Sequence, residues 1–500
     1  MYGAGISDQA VRDVAYCKVD QEATRREVNV MYFILSKNIA LRSWWLVPYA
    51  YYIKHDEMAH GLKKEEFELL SLCDGLHDIE ESELTKSLVE RRMISPVEKG
   101  GAELTEWQKP LVCDNRYMPH MNWMITGKCN YNCLHCFNAK DNAPLQSEWT
   151  LDEANALLDE AQRSGINAIL LTGGEPMAHK HFFEIVEGIF KRGMIVFELN
   201  TNGFFINQNA LDRLKQIGCD PLMKISFDGI GFHDWMRNHK GAEENALNAI
   251  RLCKENGFRV MVQMNINRKN RESVTKSLEC LDEIGVDRTR IICTTESTRW
   301  AENAAGQSFT VPEYYDACLE IAQGYIRGEH RMTLDFWQVL DLDPRGKSYR
   351  LSPLKGCLSR YRESLPLCKG TRGMIAVAAD GEVYPCMQMS GWMKAHNVTF
   401  GNVKKDGLQS VLQSSAYLDT VCATVGDMIK VNQKCAQCKH LKYCLCGCPA
   451  ISVLTSGGNF LSPDPWKCFF FEQGYVEKFE NSLVPYVNLT RIDETQGDRK

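Results

Sequence analysis

Between Met121 and about Gly328 the apolar positions switch repeatedly between two periods. Near-continuous apolar runs occur at Asn122–Thr126, Ala168–Thr172, Ile195–Asn200, Leu222–Phe227, Arg259–Ile266 and Arg290–Thr294. Between them, at Leu151–Arg163, Phe182–Lys191 and Ala242–Lys254, apolar residues recur every three to four positions. The first pattern suits a strand buried on both faces and the second an amphipathic helix. Thr150 and Glu153 have the spacing of a capping box at the head of the first such helix. Repeated strand–helix units predict an α/β fold with a parallel sheet and right-handed crossovers. Six units make a partial (β/α)6 barrel or an open sheet, and periodicity alone does not choose.

The flanking regions have other patterns. Val28–Ser36, Ile39–Val47 and Tyr49–His55 are β-rich, and Lys63–Leu72 carries Phe67, Leu69 and Leu70 at helical spacing before the stop Cys73-Asp74-Gly75. Ile79–Ile94 reads as a further helix with Leu84, Leu88, Val89 and Met93 on one side. Strands followed by helices predict a small winged helix-turn-helix over 28–100, between a polar tail (1–27) and a linker (101–120). After the α/β region (121–330) and a bridging segment (331–356), periodicity fades over 357–484, while cysteine and glycine rise. Such a segment buries little apolar surface and depends on metal for its fold. Residues 485–500 read as a tail.

Composition sharpens this. The chain has 21 cysteines in 500 residues. The odd count, the large size and the lack of an apolar signal-peptide core in Met1–Val28 argue against disulfides and for metal binding in the cytoplasm. The longest apolar stretch, Ser43–Ile53, is about half of a membrane span, so no membrane partner is expected. A net charge of −6 with mixed signs leaves no general basic footprint for nucleic acid. Cys17, Cys73, Cys113, Cys219, Cys253, Cys280, Cys293, Cys318 and Cys422 read mostly as small packing residues.

Directly after the first strand, Cys129, Cys133 and Cys136 form C-x3-C-x2-C. Three thiolates can hold three irons of one 4Fe–4S cube and leave the fourth iron open. Zinc, with His135 as a fourth ligand, is the alternative. The second strand ends in Gly173-Gly174-Glu175-Pro176, where glycine allows close backbone approach to a ligand and a carboxylate can accept from an ammonium. These two motifs together resemble the radical S-adenosylmethionine (SAM) superfamily. The resemblance implies a partial (β/α)6 barrel and an open iron that holds SAM, whose reductive cleavage gives a 5′-deoxyadenosyl radical that abstracts hydrogen from substrate. It implies SAM contacts from His135, Gly173, Gly174, Glu175, Pro176, Asn200 and Ser226. Arg237 suits either a pair with the SAM carboxylate or an ordinary exposed surface arginine. Asn202-Gly203 and Asp228-Gly229 equally suit ordinary turns.

Farther on, Cys368-x12-Gly381-x4-Cys386, then Cys435-x2-Cys438-x5-Cys444-x3-Cys448, then Cys468, resembles the SPASM domain of a subset of that superfamily. By resemblance, Cys368, Cys386 and Cys448, with Cys357 as the fourth candidate, hold one auxiliary 4Fe–4S cluster. Cys435, Cys438, Cys444 and Cys468 hold another. Cys446 is extra to the pattern and reads as structural.

The segment Leu69–Gly75 with its following helix resembles recognition elements for RiPPs (ribosomally made, modified peptides), which bind a precursor's leader as an added strand. A DNA-binding winged helix shares that architecture, but Glu80, Glu81, Glu83 and Glu90 oppose phosphate contact. The expected function is therefore a radical SAM maturase acting on a ribosomal precursor peptide, with a flavodoxin or ferredoxin as electron donor and a cysteine thioether crosslink as product. The alternatives are a carbon–carbon or other side-chain crosslink, sulfatase-maturase-like oxidation, or an iron–sulfur electron carrier or redox sensor. Met387 stands where a sulfatase maturase is expected to have its aspartate base. No residue stands out as the catalytic acid or base.

Overall fold

The computed structural model describes residues 30–54, 58–117, 119–136, 139–140, 143–144, 146–294, 298–355, 360–484 and 490–491. The expected tails and the Cys17 and Cys357 positions lie outside them, apart from residues 490 and 491. The chain divides into two compact units, the first holding residues up to Ile39 together with Lys63–Gln108, the second Ala40–Leu62 and everything from Lys109.

The first unit is built on β1 (Val30–Leu35). The next strands, β2 (Ile39–Ser43), β3 (Ala50–Ile53) and β4 (His60–Gly61), form a separate sheet assigned almost wholly to the second unit, so the expected 28–100 domain is interrupted. The first unit resumes with α1 (Lys64–Ser71), β5 (Ile79–Glu80), α2 (Glu83–Glu90) and β6 (Ile94–Val97). Strands β5 and β6 flank β1 antiparallel. The helix expected over Ile79–Ile94 is thus only its middle. Ser82, whose hydroxyl accepts from the Thr85 N–H, starts it, and Arg92, at φ 58°, ends it. Leu88 and Met93 of the expected stripe are buried.

In the second unit β7 (Leu111–Val112) lies beside β2. The α/β region then runs β8 (His120–Thr126), the small hairpin β9 (Ala139–Lys140) and β10 (Ala143–Pro144), α3 (Leu151–Arg163), β11 (Ala168–Gly173), α4 (Phe182–Lys191), β12 (Ile195–Thr201), α5 (Gln208–Ile217), β13 (Leu222–Ser226), α6 (His233–Arg237), α7 (Ala242–Glu255), β14 (Val260–Ile266), α8 (Val274–Ile284) and β15 (Arg288–Cys293). The six expected strands are parallel neighbours in sequence order, so the fold is an α/β partial barrel. Helix α3 shows why the periodicity is readable. The Thr150–Glu153 capping box satisfies its first turn, and Ala154, Leu157, Leu158 and Ala161 bury one face against the sheet.

The sheet does not stop at six. After α9 (Thr298–Asn303) and α10 (Val311–Ile326), β16 (Thr333–Phe336) joins β15 in parallel. The antiparallel strands β17 (Leu340–Asp343) and β18 (Ser348–Leu351) follow it, so the bridging segment is sheet. At the opposite edge, α11 (Lys369–Gly373) leads into β19 (Met374–Val377), which pairs in parallel with β8 and carries β20 (Val383–Tyr384) as a hairpin partner. The cysteine-rich region is thereby hydrogen-bonded into the barrel sheet. Beyond it lie short helices, ending with α12 (Pro465–Glu472) and a longer helix over Tyr475–Leu483. No described helix is long and apolar enough to cross a membrane.

Candidate functional site

The C-terminal ends of β8 and β11–β14 converge on the Cys129–Cys136 loop, where barrel folds place their chemistry. The described part of this loop has no regular structure, and other elements hold it. The Leu134 N–H donates to the Met236 carbonyl of α6 (2.9 Å). Arg299 of α9, 4% exposed, donates to the carbonyls of Cys133 (2.6 Å) and Asn132 (3.0 Å). Leu134, Met236, Trp300 and Ala304 pack around the same turn. N–H groups also face the sulfurs: Tyr131 N and Asn202 Nδ2 lie 3.4 and 3.8 Å from Cys129 Sγ, and Arg237 Nη1 lies 3.8 Å from Cys133 Sγ.

Among the described residues no three His, Cys, Asp or Glu side chains converge on a point that would hold a single metal ion. His135 turns away from the sulfurs. Its Nε2 lies 3.4 Å from Asn265 Nδ2, its ring stands edge-on to Trp300, and its buried Nδ1 has no partner. Burial pushes its pKa down to about 4, so the ring is neutral at physiological pH. Burial pushes the Cys129 thiol up to about 12, so a thiolate there requires positive charge beside it, which iron supplies.

The glycine motif packs β11 against the cysteine loop. A Cβ on Gly173 would lie 2.4 Å from the Thr126 carbonyl oxygen, and one on Gly174 would lie 2.2 Å from that of Lys128. The glycines let β11 press against the cysteine loop itself, and the Gly174 and Glu175 N–H groups donate to the Thr126 and Lys128 carbonyls (2.7 and 2.9 Å). Pro176 opens a single 3-10 turn. Glu175 is fully buried, and its carboxylate accepts from Met177 N (3.1 Å), Thr201 Oγ1 (2.9 Å) and Asn202 N (2.7 Å). It ties β11 to β12, and with four lone-pair sites it retains room for one more donor.

Burial pushes the Glu175 carboxyl up to about 7 against the pull of those three donors. An unfolded Glu ionises near pH 4.3. Between the two values the folded chain holds the extra proton, so this group's contribution to stability falls as pH rises through that window, by up to ~4 kcal/mol. Glu175→Gln should flatten the decline in thermal stability between pH 5 and pH 7, read by unfolding of the full chain. An unaltered slope would reject the assignment.

Of the other expected SAM contacts, Asn200 has a buried side-chain oxygen without a partner, and Ser226 is half-buried at the end of β13 opposite Gln263. Arg237 is buried, with Nε 2.8 Å from Asp228 Oδ2 and a buried, unpaired Nη2. Sequence reasoning missed the acid at the centre of this cluster. Asp228 is fully buried, its Oδ1 accepts from Asn265 N (3.0 Å), and its own N–H donates to His233 Nδ1 (2.9 Å). Burial would raise the Asp228 pKa, but Arg237 and His233 hold it far below the usual carboxylate range. Gly203 and Gly229 do make left-handed turns (φ 87° and 105°), and the preceding Asn202 and Asp228 side chains also reach into the site.

In the cysteine-rich region Cys386, Cys368 and Cys448 lie within electrostatic reach of one another, and burial pushes the Cys386 thiol up to about 12. Lys355, two residues before Cys357, donates to the Gly447 carbonyl (2.6 Å). Cys435, Cys438, Cys444 and Cys468 line a single cavity. Between the two groups, Leu445, Cys446 and Gly447 are all left-handed (φ 47°, 65° and 77°). That reversal suits Cys444 and Cys448 facing different sites, at a cost of about 1–2 kcal/mol for each non-glycine residue. Asp464 braces the turn by accepting from Cys448 N (2.9 Å) while capping α12, which carries Cys468. No disulfide joins any of the described cysteines.

The Radical SAM superfamily profile matches residues 123–281, and an iron-sulfur cluster-binding domain, SPASM, matches 368–439. The Fe-coproporphyrin III synthase of Methanosarcina barkeri is 30% identical over 372 residues, 72% of this chain and 90% of its own length. The AdoMet-dependent heme synthase of the same organism is 24% identical over 351 residues, 69% of this chain and 94% of its own length. Among solved structures, Streptococcus suis SuiB bound to precursor peptide SuiA superposes with a TM-score of 0.57 at 12% identity, covering 84% of this chain and 97% of SuiB. Native anSMEcpe with bound AdoMet and Cp18Cys peptide gives 0.54 at 16% identity, covering 74% of this chain and 97% of its own.

Proposed function

This chain belongs to the radical SAM superfamily, and from that premise we propose that it modifies a ribosomally made precursor peptide. As a superfamily member with a SPASM domain, it is a radical SAM enzyme whose cofactors are SAM and iron–sulfur clusters. The observation that carries the peptide reading is the first compact unit, with its own three-stranded sheet. The porphyrin-type relatives are matched over 90% or more of their own length while leaving over a quarter of this chain unmatched. SuiB, solved with a precursor peptide, extends the likeness to 84%.

In this reading the leader adds as a strand beside β5 or β6, whose outer edges have no partner strand among the described residues. Exposed Leu72, Leu76 and Val89 supply apolar contacts. The core peptide enters the barrel at the strand ends. When bound, a cluster and SAM would supply an electron and a carbon-centred radical able to take hydrogen from the peptide. Cys129, Cys133 and Cys136 hold that cluster, and Arg299, Met236 and Glu175 keep their loop in place. Arg237, oriented by Asp228, offers its unpaired Nη2 to the SAM carboxylate. The neutral His135 ring would lie toward the adenine, Gly173–Pro176 would frame the ammonium, and Asn200 and Ser226 would offer hydrogen-bonding groups beside it. Cys368, Cys386, Cys448 and Cys357 hold one auxiliary 4Fe–4S cluster; Cys435, Cys438, Cys444 and Cys468 hold the other. A flavodoxin or ferredoxin supplies electrons in the cytoplasm, where thiols stay reduced.

A thioether is the proposed product. The carbon-bound hydrogen would leave as an atom to the SAM-derived radical and the thiol hydrogen as a proton; the cysteine-rich region would hold an auxiliary cluster able to accept the one electron left over. The full chain, incubated with SAM, reductant and a short cysteine-bearing peptide encoded beside its gene, should lower that peptide's mass by two hydrogens. Porphyrin modification is the second reading, favoured by the 30% identity over most of the chain. Against it, barrel cations that could hold porphyrin carboxylates are already paired, Lys224 with Glu198 (3.1 Å) and Arg290 with Asp335 (2.6 Å). Turnover of Fe-coproporphyrin III with the peptide left unchanged would reverse the choice.

A further inference from the structure

The C-x2-C-x5-C-x3-C run leaves one cysteine without a role. Cys446 sits midway between Cys444 and Cys448, and the cavity lined by Cys435, Cys438, Cys444 and Cys468 includes it as a fifth thiol. Cys446 and Cys435 are 6% and 7% exposed, and both pack in one buried cluster with Leu441 and Leu445. A buried thiol normally packs as a small hydrophobe. This one lines a cavity together with the four thiols of the ligand set and packs in the same cluster as one of them. The left-handed turn that presents it is fixed by Gly447, where a Cβ would lie 2.4 Å from the Asp464 Cβ.

We propose that Cys446 is an alternative ligand of the second auxiliary cluster, exchanging with Cys435 at one iron. The proposal rests on the reading of this cavity as that cluster's site. The exchange balances without any change of oxidation state. The iron–sulfur bond to Cys435 breaks as the bond to Cys446 forms, and the Cys446 thiol proton passes to the departing Cys435 sulfur. The cluster thereby survives displacement or oxidation of Cys435, which sits on a helix of only four residues, Gln433–Ala436.

The test is anaerobic reconstitution of the full chain as wild type, Cys435→Ala, Cys446→Ala, the double variant and Cys444→Ala. Iron and sulfide are counted and the reduced clusters recorded by electron paramagnetic resonance, with the SAM-cluster signal as the check on folding. Both Cys435→Ala and Cys446→Ala should keep wild-type iron, and the double variant should lose about four irons, one cluster's worth. Loss of about four irons from either single variant, or full iron in the double, overturns the exchange. Cys444→Ala tests the underlying site separately: it should lose a cluster, and full iron there would remove both the site reading and the proposal.

Discussion

Replacing Cys129, Cys133 and Cys136 together by alanine is expected to reduce 5′-deoxyadenosine formation to background and to remove about four irons per chain, one cluster's worth. The loss should be total because the electron that opens SAM has no other route in; the protein positions this chemistry but cannot replace it. The fold should survive. The bonds that hold the loop go to backbone groups, from the Leu134 N–H to the Met236 carbonyl and from Arg299 to the carbonyls of Asn132 and Cys133, and alanine leaves them intact. The iron that remains should belong to the cysteine-rich region, which makes the expected loss partial in iron and complete in activity. Residual SAM cleavage above background, measured chromatographically on a reducible sample, would move the chemistry to another cluster.

Asp228→Ala should have the largest effect on stability. The side chain is fully buried, pairs with Arg237 at 2.8 Å and accepts from Asn265 N at 3.0 Å. Removing it strands a buried guanidinium and leaves a backbone N–H unsatisfied. Breaking a buried pair by deleting one partner costs about 3–5 kcal/mol, whereas replacing both partners by apolar residues is often close to neutral. Thermal unfolding should therefore rank wild type above Asp228→Ala/Arg237→Leu, and the double variant above Asp228→Ala alone. SAM cleavage should be lost in both, since each removes the oriented arginine. A double variant less stable than the single would show that the two groups contribute independently.

What the sequence discloses follows from how local each signal is. Helices α3 and α4 match the expected bounds because their apolar stripes and flanking residues lie within the helices themselves. The cysteine sets are legible because ligand spacing is written in consecutive residues. Strand β16 escapes because its four residues include a charged Asp335, and only pairing to β15 makes them sheet. The Ile79–Ile94 run reads as one helix because an apolar stripe continues past both the capping at Ser82 and the turn at Arg92. The glycine motif is visible, but its packing against the 126–128 backbone is not, because that contact is distant in sequence. Asp228, Asn202 and Arg299 do not stand out as site residues for the same reason: their partners lie on other strands and helices, and no spacing rule links them.

The central claim is that the barrel end is a site for reductive SAM cleavage. The most direct test is to reconstitute the full chain anaerobically, add SAM and a strong reductant, with and without a precursor peptide, and assay 5′-deoxyadenosine. The account predicts the product in the wild type and none in the triple cysteine variant. A cluster-loaded, reducible wild type that forms no 5′-deoxyadenosine under either condition would contradict it.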